Sequence, residues 1–263
     1  TKWKSFTKKL KNPEKQTTIG LIGKYVELKD SYKSISEAII HAGVSNNSKV
    51  NVKWIHSEKL TENNVHDELK DLNGILVAPG FGSRGIPGKI SAVTYARENN
   101  IPFLGICLGM QCAVIEFARN VLKFEDAHTT EISEYTEYPV ISLMKEQKKV
   151  SNFGGTMRLG SYSCELKAKS LVSKAYNSEL IKERHRHRYE FNNQFLKDFE
   201  KNGMIPSGKN PKTGLVEIIE LKNHPWFIGT QFHPEYKSTV INPHPLFLAF
   251  INASLKYKEK NNG

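Results

Sequence analysis

The chain has only three cysteines in 263 residues, Cys107, Cys112 and Cys164, and no CxxC pair. That excludes a disulfide framework and a cysteine-rich structural zinc site, and it suits a reducing compartment. No apolar run reaches the roughly 20 residues that span a bilayer. No secretory leader opens the chain, which begins Thr1-Lys2-Trp3-Lys4. These absences suggest a cytoplasmic protein with no membrane partner, and the missing initial Met suggests a processed or excised chain. There is no internal repeat, no low-complexity block and no phosphate-loop signature G-x-x-x-x-G-K-[ST].

What is present is enough for a packed core. Hydrophobic residues make up 38% and charged residues 25%, which excludes disorder, collagen and coiled coil as descriptions of the whole chain. The formal net charge of +11 raises the question of nucleic acid. Its distribution argues otherwise. Residues 1–15 hold six Lys against one Glu, and residues 256–263 hold three Lys against one Glu. The interior carries only 29 basic against 25 acidic residues. Lysine-rich ends are usually solvated tails, and no zinc-finger, RNA-recognition or helix-turn-helix pattern accompanies them. The expected organisation is a linker remnant at 1–15, one domain over 16–256, and a basic tail at 257–263.

Within that domain the apolar pattern alternates between two periods. Strands are expected over 17–22, 50–55, 74–78 and 101–106. Helices are expected over 31–42, stopped by Gly43, over 89–98, and from 108 to about 119. This succession predicts an α/β fold with an open, mostly parallel central sheet and helices on both faces. The second half is less regular: strands over 138–144, 156–159, 163–166, 215–221 and 227–232, and helices over 191–201 and 245–256. It reads as a mixed, antiparallel extension of the same sheet. Ligands of such sheets bind beyond the carboxyl ends of the strands, so chemistry is sought just after each apolar run.

Just after one such run lies Gly105-Ile106-Cys107-Leu108-Gly109, the cysteine form of a nucleophile elbow between strand and helix. The turn would aim Sγ out of the sheet edge and place it at a helix N-terminus, where a thiolate is favoured. Cys112, inside the following helix, and Cys164, in a strand, read as packing residues. A thiolate needs a base and a group that orients the base. His233-Pro234-Glu235 follows the run 227–232, and in an extended segment its His and Glu would point the same way. A third piece, Ala78-Pro79-Gly80-Phe81-Gly82-Ser83-Arg84-Gly85, follows the strand over 74–78. Its Gly and Pro content lets backbone N–H groups approach a ligand and, with the N–H of Leu108, form an oxyanion hole.

In this order the three pieces resemble triad-type (class I) glutamine amidotransferases, a flavodoxin-like fold. More specifically, the chain resembles the glutaminase domains of the CTP synthase family. That narrower likeness rests on Gly154-Gly155-Thr156-Met157-Arg158-Leu159-Gly160 and on Arg184-His185-Arg186-His187-Arg188. It runs from about residue 19 to 250, with Ala78-Pro79-Gly80 standing where Pro-Gly-Gly is expected. Read as a strand, the basic stretch puts its three Arg on one face and its two His on the other.

The resemblance implies Cys107 as nucleophile, His233 as base and Glu235 as its orienter. It implies Gly80, Leu108, Gly109, Met110, Gln111, Glu131 and Arg188 as the residues around glutamine, with Gly80 and Leu108 serving the oxyanion. It implies no metal and no cofactor in this domain. ATP and Mg²⁺ belong to an N-terminal synthetase domain, which the ammonia would reach and which aminates UTP to CTP. GTP is implied as an allosteric activator, with Arg84 among its contacts, and the full-length enzyme as a homotetramer. The competing readings are another triad amidotransferase, a papain-like cysteine protease and a basic nucleic-acid module. The basic strip argues against the first, and the strand–turn–helix elbow against the second.

Overall fold

The computed structural model describes residues 2–143 and 157–261. The apolar stretches that offer no polar side to water become strands buried on both faces. β1 (Lys15–Gly23), β3 (Gly74–Val77) and β4 (Phe103–Ile106) are of this kind, whereas β2 (Ser48–His56) alternates buried and exposed residues as an edge strand does. A small second sheet joins β5 (His128–Thr129), β6 (Pro139–Leu143) and β9 (Tyr189–Phe191). The remaining strands are β7 (Arg158–Leu166), β8 (Leu180–His187), β10 (Met204–Lys209), β11 (Val216–Leu221) and β12 (Phe227–Thr230).

Among the described residues the main sheet has nine strands, in the order β2-β1-β3-β4-β12-β11-β10-β7-β8. From β2 to β12 all neighbours are parallel, and from β12 onward all are antiparallel. Helices cover both faces, with the short helices α3 (Val65–Leu69) and α6 (Leu171–Tyr176) beside the longer ones. α4 (Ile86–Glu98) and α5 (Leu108–Asn120) feed one apolar cluster through Ala92, Val93, Met110 and Ala113. α2 (Lys33–Ser45) and α8 (Pro245–Asn261) feed the other through Ile35, Ile39, Phe247 and Phe250. The architecture is therefore the expected α/β sheet with a mixed extension.

Several local expectations are corrected. Gly43 does not stop α2 but lies inside it, and a Cβ there would stand 2.8 Å from Val50 and 2.9 Å from the Ser48 carbonyl oxygen. The glycine answers a close approach of α2 to β2, not a helix end. The helix expected over 191–201 starts as strand β9, and only α7 (Leu196–Lys201) is α-helical. The two strands expected around 156–166 are one strand, β7, with Gly160 at φ 110° inside it. Strand β10 was not anticipated, because Pro206 and Gly208 interrupt its pattern. Residues 2–11 of the expected linker form helix α1 (Lys2–Lys11), with no buried residue and with Trp3 stacked on Phe6. Five residues of the expected tail continue α8 to Asn261. Met144 and the Gly154–Thr156 part of the family motif lie outside the described residues. No described helix is long and apolar enough to cross a membrane.

Candidate active site

β4 ends at Ile106 and the chain turns directly into α5. Cys107 occupies the turn with φ 53° and ψ −103°, a conformation that residues bearing a side chain seldom adopt. The surroundings enforce it. Cys107 N–H donates to Thr230 O at 2.7 Å. A Cβ on Gly109 would stand 2.2 Å from Val77 O, and one on Gly105 would stand 2.8 Å from the Gly109 backbone. The G-x-C-x-G spacing is thus what allows α5 to start hard against β3 and β4. Sγ is held 4.0 Å from Arg186 O, and Gln231 Nε2 donates to it at 3.6 Å.

The parallel register pairs Gly105 with Gly229 and Ile106 with Thr230, so whatever follows β12 emerges beside whatever follows β4. His233 N–H donates to Arg184 O at 2.8 Å, and His233 Nδ1 meets Glu235 Oε1 at 2.8 Å. The segment is not extended as expected: Pro234–Lys237 is a 3-10 turn, and the turn is what folds Glu235 back onto the imidazole. Both residues are buried. Nε2 makes no hydrogen bond of regular geometry among the described residues. Burial alone would push the imidazole pKa down, but hydrogen bonding and charge from Cys107 and Glu235 outweigh it and raise the pKa above its usual 6.5. The stability from this pairing is full below the unfolded-state value and is lost as pH climbs through the higher folded value. The ring is therefore charged at neutral pH. In nitrogen-15 spectra His233 should carry both ring protons at about pH 7.5, and Cys107→Ala should shift its titration downward. A ring that titrated at the ordinary imidazole value in both proteins would refute the pairing.

A small cavity of about 10 Å³ is lined by Gly80, Phe81, Cys107, Gln111, Glu131, His187, Arg188 and Tyr189. It gathers Gly80, Cys107, Gln111, Glu131 and Arg188 from four separate stretches of sequence. Glu131 Oε1 accepts from Gly82 N–H at 3.1 Å, and Gln111 Nε2 donates to Tyr189 O at 3.2 Å and Gln231 Oε1 at 3.3 Å. Leu108, Gly109 and Met110 are not on the wall. Leu108 and Met110 bury their side chains in the core, which leaves them only backbone to offer a ligand. Arg84, expected at an effector site, pairs with Glu58 at 2.9 Å and lies over the Tyr25 ring. A larger cavity of about 880 Å³, lined by Pro102, Trp226 and Tyr257 among others, lies at the opposite end of β4 and β12 and holds none of these residues.

The other two cysteines behave as packing residues. Burial pushes the Cys112 thiol up to about 11, and Cys164 is also raised, first by burial and then by Glu217. Neither is a ready thiolate.

Sequence reasoning missed a buried polar cluster beneath the cavity. Alternation along β8 turns His185 and His187 inward and Arg184 and Arg186 outward, as the strand reading required. Inside, His185 Nδ1 meets His187 Nε2 at 2.8 Å, and His185 Nε2 lies 3.3 Å from Glu217 Oε2. Arg158 donates to Glu217 at 2.5 Å and to Glu190 at 3.4 Å. The residues of both family-specific stretches therefore meet across β7 and β8. Burial, above all, lowers the pKa of both His, and it raises Glu190 to about 8. Glu217 stays below its usual value despite burial, held there by His185 and Arg158. Gln231 was also missed, although its place directly after β12 was a usable signal.

A family model described as "Glutamine amidotransferase class-I" matches residues 27–253. The chain belongs to the class-I glutamine amidotransferase family. Among members of that family it is similar to the CTP synthase of Flavobacterium psychrophilum, 61% identical over 258 residues, covering 98% of this chain and 48% of that protein. It is similar also to the CTP synthase of Clostridium acetobutylicum, 56% identical over 260 residues, covering 99% and 49%. The chain thus spans about half the length of these relatives. The solved glutaminase domain of Trypanosoma brucei CTPS with bound acivicin superposes with a TM-score of 0.86 at 34% identity, covering 91% of this amidotransferase chain and 94% of that one.

Proposed function

We propose that this chain is the glutaminase part of a CTP synthase, hydrolysing L-glutamine to glutamate and ammonia through a thioester on Cys107. The observation that carries this reading is the strained Cys107 turn, set by strand register beside a buried His233–Glu235 pair. Cys107 reacts as a thiolate, with His233 as its imidazolium partner. Sγ attacks the side-chain carbonyl carbon of glutamine, and the oxygen becomes an oxyanion facing the backbone N–H groups of Gly80 and Leu108; one such donor contributes about 3 kcal/mol. His233 Nε2 gives its proton to the departing amine, and ammonia leaves. The neutral imidazole then takes a proton from water as the water attacks the thioester, and glutamate is released. Glu235 holds the ring and its tautomer throughout.

Glu131 suits the α-ammonium group and Arg188 the α-carboxylate of the substrate. Phe81, at 47% exposure, is the most open side of the cavity that these residues line. The domain itself uses no metal or cofactor in this reading. The ammonia serves a synthetase domain that aminates UTP with ATP and Mg²⁺, within a GTP-activated, tetrameric, cytoplasmic enzyme. The support for that wider reading is identity of 55–61% running the length of this chain over one half of each relative.

A diazo-ketone analogue of glutamine, followed by peptide mapping, tests the site. Adduct on Cys107 with parallel loss of glutamine hydrolysis is expected. Adduct on Cys112 or Cys164, or undiminished hydrolysis by fully labelled protein, would remove the assignment.

A further inference from the structure

Two lysines are buried beneath the loop that follows β3. Lys89 in α4 is fully enclosed, and Lys24, just past β1, is 3% exposed. Among the described residues neither forms an ion pair. Each instead holds backbone carbonyls of one loop. Lys89 Nζ donates to Ala78 O at 2.5 Å, and Lys24 Nζ donates to Phe81 O and, at 3.1 Å, to Gly82 O. Both side chains converge on Gly80, where a Cβ would stand 3.8 Å from Lys24 Cε and 3.9 Å from Lys89 Nζ. An ammonium group without a counter-ion is among the least favourable groups to bury. Two of them under one short loop are not what packing alone would select.

We propose that Lys24 and Lys89 are positioning residues of the glutaminase reaction, clamping the 78–82 loop from below and setting fixed positive charge behind the oxyanion. The proposal rests on the Cys107 reading above. In a trans peptide the N–H points opposite to its carbonyl. Drawing Phe81 O inward onto Lys24 therefore turns Gly82 N–H outward, where it meets Glu131 Oε1 at 3.1 Å. Lys24 thus sets the carboxylate assigned to the substrate ammonium. Lys89 holds Ala78, two residues before the proposed Gly80 donor, with its Nζ 3.9 Å from where a Gly80 Cβ would stand. Burial lowers Lys89 to about 8, which leaves it charged at neutral pH, when negative charge develops on the substrate oxygen. Preorganised charge of this kind acts on the transition state more than on the ground state.

The two variants should consequently differ in kind. Lys89→Met should lower kcat about tenfold and leave KM within about twofold, because its charge acts only as the oxyanion forms. Lys24→Met should lower kcat and also raise KM, through Glu131. Rates are taken per active site titrated with the diazo-ketone, so misfolded protein does not count. The rate of Cys107 alkylation by the same reagent, readable even at low turnover, should fall with kcat. Parental kcat and KM per titrated site in both variants would overturn the proposal, as would a loss accounted for wholly by fewer titratable sites. Failure of the underlying reading looks different: Cys107→Ala would then still hydrolyse glutamine.

Discussion

Cys107→Ser is expected to reduce glutamine hydrolysis by about 10⁴-fold, in the range lost when a member of a catalytic triad is removed. The substitution isolates the nucleophile. Serine fits the same turn, which is held by the residue's own N–H on Thr230 O and by the glycines at 105 and 109, so the fold and the cavity persist. What changes is the atom. A hydroxyl is far less acidic than a thiol, and the hydrogen bond and charge from Cys107 that help raise His233 are lost. Cys112 and Cys164 remain but cannot substitute, since burial holds both as neutral thiols within the core. Steady-state release of glutamate checks this. A variant that kept more than about a tenth of the parental rate would show that the reaction does not pass through Sγ.

Arg158→Met should destabilise the domain by about 3–5 kcal/mol, the range seen when one partner of a buried ion pair is removed. Among the described residues, Arg158 is the one guanidinium in the buried cluster, bonded to Glu217 and Glu190 and stacked on Tyr162. His185 and His187 are held neutral by burial and cannot replace its charge. Without it, the Glu217 carboxylate is left in the interior with no cation and with Glu190 nearby. The fall in melting temperature should be roughly 10 °C for a domain of this size. Restoring charge balance with Arg158→Met, Glu217→Gln should recover most of it. A single variant that melted with the parent would mean that Glu217 is not ionised in the fold.

The parts that the sequence disclosed are those where a single segment carries its own explanation. β3 and β4 are short and wholly apolar, with a glycine three residues past each end (Gly80, Gly109), so both their burial and the place of the candidate site after them could be read directly. The placement of the proposed triad was legible for the same reason, because Cys107 and His233 each follow an apolar run. The interior cluster was not legible. Arg158, His185, Glu190 and Glu217 are polar residues whose partners come from other strands, and nothing local marks them as buried. Glu217 carried a hint, since it is one of two carboxylates, with Glu220, inside the otherwise apolar run Val216–Leu221. Lys89 carried none, since a lysine in the first turns of a helix ordinarily faces water. Gly43 and Gly208 misled for a related reason: each makes room for a neighbouring element, and that is invisible along the chain.

The pairing of β4 with β12 has a consequence for how activity is acquired. The proposed nucleophile Cys107 and base His233 are 126 positions apart in the chain and are brought together only when two distant strands zip together. Contacts of such long sequence separation form slowly, after the loop between them has been closed. During synthesis the thiol at 107 leaves the ribosome well before its imidazole exists. On the proposed mechanism, any form in which β4 and β12 have not yet paired is inert, because its thiol has no imidazole beside it.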